Sequence, residues 1–361
     1  MGDGVTYALG ALLCAALNDI SFKRASSAKV SIGWFACFVG LTWGAAQVAW
    51  VALHRPRALV EWSEPTARYA PWVGLLLASA NLLLIASLDG IPASAGSTVY
   101  RLNSVGVVLG SWLVLGESLT LLKLSGVTAG VVAVLLMYSA GRAAAPSTIR
   151  AGYRPIGAGG CKASEAPRIT QYGTVVTLGA VDEAATPARP RLRGSLQSRP
   201  RSSGYYYALA CVASALRACY GVLSKHALRS GADSTQLVLC GAAGWLVVGA
   251  AYALLHERSL LGWRDKWCLR FGMVNGVLQG SNIAMLNLAL MQGSASIVVP
   301  VANCSFALTL AISVVCGMEG MDRKKAAAVA MAALCIGLLA RAAAGAAAAD
   351  PHHFRLLLLV P

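Results

Sequence analysis

The chain has 361 residues, of which 57% are hydrophobic and only 12% are charged, and its mean hydropathy is +0.62. A soluble domain of this length is less apolar, so the composition predicts an integral membrane protein that lies in a lipid bilayer. The formal net charge of +15 is spread over loops and a linker. Because it forms no basic stripe with interleaved aromatic residues, we expect no nucleic-acid partner.

Most of the ten cysteines lie inside apolar runs, where they act as small hydrophobic residues. No paired C-x-x-C motif is present, so we predict neither a metal site nor a redox site, and no cofactor. The first residues, MGDGVTYALG, lack the positive region and the cleavage site of a signal peptide. We therefore expect the first apolar run to remain in the protein as its first helix.

Apolar runs of about 20 residues mark ten candidate transmembrane helices. In the first part of the chain they lie near residues 4–22, 31–53, 70–88, 94–115 and 121–140. In the second part they lie near residues 205–224, 233–255, 270–290, 295–316 and 324–341. The predicted fold class is an all-α integral membrane protein with ten transmembrane helices.

The second set of spans repeats the first at an offset of 202 residues, without a gap. Residues of distinctive type recur at this offset, which makes chance similarity between apolar runs a poor explanation: Lys23 and Lys225, Trp43 and Trp245, Gly74 and Gly276, Glu117 and Glu319, Lys123 and Lys325. Each copy holds an odd number of spans, so the second copy must enter the membrane from the opposite side. The sequence thus predicts two inverted five-helix repeats, which is an architecture of secondary transporters.

We divide the chain into four segments on this basis. The first repeat covers residues 1–140 and the second covers residues 204–342. Between them, residues 141–203 carry ten basic residues against three acidic ones and are rich in Pro, Gly and Ser, which predicts a disordered basic linker. A partner-binding or phosphorylated linker is the alternative. Residues 343–361 form a C-terminal tail whose last apolar run is too short to span a membrane.

The two stretches that carry the repeat, residues 97–137 and 294–341, resemble the EamA domain of the drug/metabolite transporter superfamily. The most recognisable features are the hinge Gly116-Glu117 and the helix rich in small residues at 126–136 that follows it. The resemblance covers nearly the whole chain except the linker and the tail. It implies an EamA-type transporter with ten helices, both termini in the cytoplasm and a central cavity for small metabolites.

Orientation in the membrane stays open. Counting Lys and Arg outside the spans favours termini on the outer side, whereas the resemblance implies cytoplasmic termini. We expect a multi-pass protein of a plasma or inner membrane, with an organelle membrane as the alternative. A monomer and a homodimer are both compatible with the sequence.

Ionisable side chains inside a span cost about 2.5 to 3.5 kcal/mol at the bilayer centre, so they mark candidate sites. Asp19 and Lys23 stand four residues apart at the end of the first span, which places them on one helix face. They form either a local pair at the helix end or a site that couples transport to a proton or cation. Arg217 in the sixth span is a third coupling candidate, as a partner of Asp19 or as an anion-binding group.

The candidate substrate-binding residues begin with Arg101 in the fourth span, whose planar guanidinium suits either a substrate anion or a buried acid. In the eighth span, amide side chains recur at i, i+4 and i+7 beside a stripe of glycines, which predicts a cavity lining or, alternatively, amide pairs that join helices. The full predicted set is Arg101, Asn103, Asn275, Gln279, Asn282 and Asn303. No residue is predicted to be catalytic.

Two further residues have predicted structural roles. Glu117 is expected to cap the first turn of the fifth span, because the helix dipole favours an acid there. Pro300 removes a backbone donor and is expected to break the ninth span near the middle of the membrane.

The leading hypothesis is a secondary active transporter that moves a small polar or anionic metabolite by alternating access, either coupled to protons or by exchange. The alternative is a non-transporting scaffold or regulatory protein that keeps the same fold. We predict no enzymatic activity, because the sequence contains no P-loop, no G-x-S-x-G motif and no H-E-x-x-H motif.

Overall fold

The computed structural model describes residues 3–28, 30–87, 91, 96, 99–144, 203–257, 261–316 and 320–349. Within these residues the chain forms helices and short helical turns and no strand. The predicted linker at 141–203 therefore lies almost entirely outside the described residues, whereas the predicted tail at 343–361 begins within the last helix, which runs to Ala349.

The described part before the linker contains five helices. They are α1 (Asp3–Ser27), α2 (Ile32–His54), α3 (Glu64–Ser87), α4 (Asn103–Leu115) and α5 (Leu121–Ala144). The described part after the linker contains six. They are α6 (Ser203–Arg229), α7 (Ser234–Tyr252), α8 (Lys266–Gln292), α9 (Ala295–Asn303), α10 (Ser305–Val315) and α11 (Arg323–Ala349).

Eight helical segments among the described residues are long and apolar enough to cross a membrane. Two predicted spans are not among these eight. The fourth is a shorter apolar segment, Val99–Leu115. The eighth corresponds to α8, which has ample length at 27 residues but carries several amide side chains that lower its hydropathy. The protein is therefore an all-α, multi-pass membrane protein, as the composition predicted.

Large apolar side chains cover much of the outer surface of the helices. Leu113, Val247 and Leu255 are 70%, 64% and 76% exposed, and Val277 on α8 is 54% exposed. Side chains of this kind belong in lipid rather than in water. Outward apolar faces and inward polar residues are what a membrane helix bundle requires.

Helices before the linker pack mainly against helices after it. α1 packs along α8, and α3 packs along α6. α2 packs against both α7 and α8, and α3 also packs against α7. α5 packs along α11, while α4 contacts α6 and α9. The core is therefore built between the two halves of the chain rather than inside each half.

Glycines allow these helices to approach closely. A methyl group added at Gly276 of α8 would lie 2.8 Å from the carbonyl oxygen of Val39 in α2, and one added at Gly74 of α3 would lie 2.2 Å from that of Cys240 in α7. Both distances are shorter than any contact a real Cβ makes, so the two backbones touch. The glycine stripe of the eighth span thus serves helix packing, as small residues do in membrane bundles.

The ninth span is broken as predicted, although not by its proline alone. Its two helices, α9 and α10, are separated at Cys304, where the backbone makes a bond of 3.1 Å from the Cys304 N–H to the Val301 carbonyl. The fourth span has the same interruption at Leu102, whose N–H bonds to the Val99 carbonyl at 3.2 Å. Leu102 precedes Cys304 by 202 residues, and no proline stands in the first copy of this stretch. The break therefore occurs at positions 202 residues apart and does not require a proline.

Candidate functional site

A central cavity lies among α1, α3, α6, α8 and the interrupted fourth and ninth spans. It holds about 780 Å³ of space not filled by atoms, counting the part open to solvent. Polar side chains contribute much of its lining: Asn18, Asp19, Asn81, Tyr100, Arg101, Arg217, Tyr220, Gln279, Asn282 and Asn303. Polar groups inside a membrane helix bundle need water, a ligand or one another as hydrogen-bond partners, because lipid offers none.

Arg101 is held by groups on three other elements. Its guanidinium forms an ion pair with Asp19 on α1. It also donates to the main-chain carbonyl of Asn303 at 3.0 Å and to the Oγ of Ser305 at 2.7 Å. The side chain is only 9% exposed. Of the two interpretations open from the sequence, the described contacts favour a pair between Arg101 and an acid, Asp19, whose side chain is partly exposed.

Asn303 stands at the break between α9 and α10 and completes this network. Its Nδ2 donates to Asn103 Oδ1 at 2.5 Å and to Ser104 Oγ at 2.7 Å, both on α4. Ser104 in turn donates to the Arg101 carbonyl at 3.1 Å. The carbonyls freed at both helix breaks are thus bonded by polar side chains, which an interrupted membrane helix requires.

The amide face predicted on the eighth span is buried, and its three members do different things. Gln279 accepts a hydrogen bond of 3.1 Å from Asn18 Nδ2 on α1 and lines the cavity. Asn282 also lines the cavity. Asn275 lies outside the cavity lining and donates to Ser21 Oγ at 2.7 Å, so it joins α8 to α1. Both interpretations of this face therefore apply, to different residues.

Arg217 on α6 lines the same cavity but does not pair with Asp19, whose carboxylate contacts Arg101 instead. The guanidinium of Arg217 lies over the ring of Tyr220 at 4.7 Å. Its Nη1 is buried, and no described residue accepts a hydrogen bond from it. Arg217 is thus a cation in the cavity without an acidic partner among the described residues.

The remaining coupling candidate, Lys23, has its side chain outside the described residues. Its repeat counterpart, Lys225, is buried on α6 and donates to the carbonyls of Leu290 and Gly293, the second at 2.7 Å. These carbonyls lie at the C-terminal end of α8, where a cation is favourable. Lys225 therefore fixes a helix end away from the cavity lining.

The predicted role of Glu117 is wrong in one respect. Its carboxylate accepts hydrogen bonds from the backbone N–H groups of Ala295 and Ser296, at 2.9 and 3.1 Å, and from Ser296 Oγ at 2.6 Å. It therefore caps α9, which lies 178 residues away, and not the adjacent fifth span. The hinge places the acid at the end of α4, and packing brings the start of α9 to it. Glu319, its repeat counterpart, lies outside the described residues.

Four residues at the site were not singled out from the sequence: Asn18, Tyr100, Tyr220 and Ser305. Asn18 and Tyr220 stand 202 residues apart at matched positions, Asn18 beside Asp19 and Tyr220 three residues after Arg217. A polar residue at both members of a matched pair is a signal that could have found them. Tyr100 and Ser305 are too ordinary in a membrane helix to be recognised in this way.

Among the described residues, no cluster of three His, Cys, Asp or Glu side chains is close enough to hold a metal ion. The described lining of the cavity offers two guanidinium groups, one carboxylate and several amides and phenols.

The family described as the EamA-like transporter family matches residues 3–139 of this chain. No curated protein matches this chain. A solved crystal structure has the same fold, with a TM-score of 0.66 over 94% of this chain and 97% of that one, at 14% sequence identity. An identity this low carries the fold alone. The chain is thus a multi-pass membrane protein in which residues 3–139 match the EamA-like transporter family, in agreement with the resemblance to the drug/metabolite transporter superfamily.

Proposed function

We propose that this protein is a secondary active transporter that moves a small polar or anionic metabolite across the membrane by alternating access. Its substrate would bind in the central cavity, and the two halves of the chain would rock against each other around it. The observation that carries this proposal is the placement of the cavity between matched elements of the two repeats.

Matched positions occur in pairs around the cavity. Asn18 and Tyr220 both line it, as do Leu84 and Leu286, and each pair is 202 residues apart. Arg101 and Asn303, also 202 residues apart, touch each other across it. A site that sits on the symmetry axis of two repeats presents equivalent surfaces to both sides of a membrane, which is what alternating access uses.

Helix packing supports the inverted ten-span arrangement in the same way. The contact of α1 with α8 corresponds to that of α3 with α6 when the two repeats are exchanged. The contact of α2 with α8 likewise corresponds to that of α3 with α7. The pairs α2 with α7 and α5 with α11 join equivalent spans of the two repeats. An arrangement unchanged by exchange of its halves is expected for a two-fold related pair.

The two interrupted spans also favour transport. Both are broken at matched positions, Leu102 and Cys304, beside polar residues of the cavity. Discontinuous helices near the bilayer midplane commonly frame transporter substrate sites, since they bring main-chain groups into an otherwise apolar depth. A scaffold protein gains nothing from such breaks.

The proposal is tested by reconstituting the full chain in liposomes and screening the uptake of labelled metabolites, with and without a proton gradient. Asn282→Phe places a bulky ring in the cavity, whereas Val277→Phe places the same ring on the lipid-facing side of the same helix, where Val277 is 54% exposed. We expect Asn282→Phe to abolish uptake and Val277→Phe to leave it close to wild type.

Equal uptake by the two variants would contradict a substrate path through the cavity. If folded protein supports no uptake or exchange of any compound above that of empty liposomes, the alternative of a non-transporting scaffold is favoured.

A further inference from the structure

The cavity contains an excess of positive charge. Its described lining includes two guanidinium groups, Arg101 and Arg217, and one carboxylate, Asp19. The remaining polar lining residues are amides and phenols, which are neutral at physiological pH. A cation kept out of bulk water is costly unless an anion accompanies it.

Arg101 does not need that anion. Its ion pair with Asp19 neutralises its charge, and its hydrogen bonds to the Asn303 carbonyl and Ser305 Oγ occupy further N–H groups. Both Nη atoms are thus already bonded, and only the buried Nε lacks an acceptor among the described residues, so a ligand held by two hydrogen bonds would have to displace groups that are in place. The excess charge is therefore that of Arg217.

Arg217 is placed to receive a ligand. The Tyr220 ring lies 4.7 Å from its guanidinium carbon and holds the group by a cation–π contact without using its N–H groups. Its Nη1 is buried and has no acceptor among the described residues. An arginine that is stacked and partly unbonded retains donors in a fixed plane for an incoming acceptor.

We infer that Arg217 is the anion-recognition residue of the cavity and that the transported compound is a small organic monoanion bound through its carboxylate. This inference rests on the proposed transport function, since it assigns the substrate class of the same cavity. It replaces Arg101, the stronger candidate from the sequence, by a residue whose charge is not already matched.

The chemistry of the cavity favours a carboxylate. A planar fork of N–H donors matches a carboxylate with two parallel hydrogen bonds. One unpaired cation balances one negative charge, whereas a phosphate dianion would leave a negative charge in excess. The amide of Asn282 and the phenol of Tyr100, which also line the cavity, offer donors and acceptors for polar groups on the rest of the compound.

The test measures binding and transport separately. The full chain is placed in nanodiscs of phosphatidylcholine, a lipid without net charge, and its thermal unfolding is followed with formate, acetate and lactate. The neutral amides formamide, acetamide and lactamide match these acids in size. Inorganic phosphate tests the other anion class, and nanodiscs with phosphatidylglycerol test whether an anionic lipid occupies the site.

Arg217→Gln removes the charge and keeps most of the volume, while Arg217→Lys keeps the charge and loses the planar fork. Arg270→Gln is the matched control, because Arg270 also stacks on an aromatic ring, 5.7 Å from the Trp267 centroid, but is exposed outside the cavity. We expect the acids, and not their amides, to raise the melting temperature of wild type and of Arg270→Gln. In Arg217→Gln we expect a loss of apparent affinity of about tenfold or more, the effect of losing a charge-assisted hydrogen bond.

The inference is overturned if none of the three acids stabilises the wild type, if the amides stabilise as well as the acids, or if Arg217→Gln binds the acids unchanged. Stronger stabilisation by phosphate or by phosphatidylglycerol would also overturn it, in favour of that anion. Acid binding that depends on Arg217 without uptake into liposomes would refute the transport function and leave the site intact. Uptake of neutral compounds that is unaffected by Arg217→Gln would refute the anion site and leave transport intact.

Discussion

Arg101 donates a hydrogen bond of 3.0 Å to the main-chain carbonyl of Asn303, the residue that stands 202 positions later at the matched site of the second repeat. Asn303 returns the contact through its side chain, which bonds to Asn103 and Ser104 beside Arg101. The two interrupted spans thus hold each other at their breaks. Any rocking of one half against the other must rearrange these bonds or turn about them.

Replacement of Arg101 should weaken the contact between the interrupted fourth and ninth spans and lower the free energy of unfolding. Arg101→Gln removes the ion pair and leaves the carboxylate of Asp19 without its cation. Loss of one partner of a buried pair costs about 3 to 5 kcal/mol, and we expect the lower end because the Asp19 side chain is 31% exposed. The measurement is unfolding in detergent micelles, with Arg341→Gln, an exposed arginine of α11, as control.

The double variant Asp19→Asn with Arg101→Gln separates charge from packing. Removing both charges avoids the unpaired carboxylate, so the double variant should recover part of the stability lost by Arg101→Gln alone. If the losses of stability in Asp19→Asn and Arg101→Gln simply add in the double variant, the ion pair contributes nothing to the stability of the protein.

The sequence located Arg101 but could not identify its partners. Its position inside an apolar span marked it as a site residue, and the repeat marked the surrounding stretch. Its partners, however, lie on α1 and at the break of the ninth span, 82 and 202 residues away. Side-chain pairing between distant helices depends on helix rotation and depth, which an apolar sequence pattern leaves undetermined.

Glu117 is expected to stabilise the start of α9. Glu117→Gln keeps an acceptor oxygen but loses the charge that faces the Ala295 and Ser296 N–H groups, at 2.9 and 3.1 Å. It also loses the charge opposite Arg229, 3.7 Å away. We expect a loss of about 1.5 to 3 kcal/mol in the free energy of unfolding, the range for hydrogen bonds to charged groups.

Glu64→Gln is the matched control for this change. Glu64 also stands in the first turn of a helix, α3, but it is exposed. An exposed acid at a helix start contributes only about 0.3 to 1 kcal/mol. Equal destabilisation by the two variants would contradict a specific role for Glu117 in holding α9.

Close packing at Gly74 should be sensitive to a single methyl group. In Gly74→Ala the new Cβ would lie 2.2 Å from the Cys240 carbonyl oxygen, so α3 and α7 must separate. Overpacking of this kind costs about 1 to 3 kcal/mol or more. Gly337→Ala on α11 is the control, because nothing lies within 4 Å of the added methyl, and the gain in helix propensity should stabilise it slightly. If Gly74→Ala and Gly337→Ala lower the melting temperature equally, the close approach of α3 and α7 is contradicted.

Arg217 illustrates a second limit of sequence reasoning. It lies off the repeat pattern, since its matched position in the first half is Ala15. A charge inside a span without a counterpart in the other repeat marked Arg217 as a candidate site residue, but its positive sign suggested that it pairs with Asp19. Only the packing of α1 against the fourth and ninth spans reveals that Asp19 is already engaged. The choice between two cations for one acid is a question of geometry that composition and spacing do not answer.

Asp19 is the coupling candidate whose side chain the structure describes at the cavity as an acid. It is the only carboxylate in the described lining of the cavity, and a proton taken up there would remove the charge that holds Arg101. Proton coupling through Asp19 therefore requires that Asp19→Asn, which cannot ionise, make uptake independent of the pH gradient.

The measurement is uptake of an identified substrate into proteoliposomes, with and without an imposed gradient. Wild type is compared with Asp19→Asn and with Asp322→Asn, which replaces an exposed acid outside the cavity. Wild type and Asp322→Asn should show several-fold stimulation by the gradient, and Asp19→Asn should show none while still exchanging substrate across the membrane. Gradient-driven uptake that persists in Asp19→Asn would leave Asp19 as a structural partner of Arg101 only.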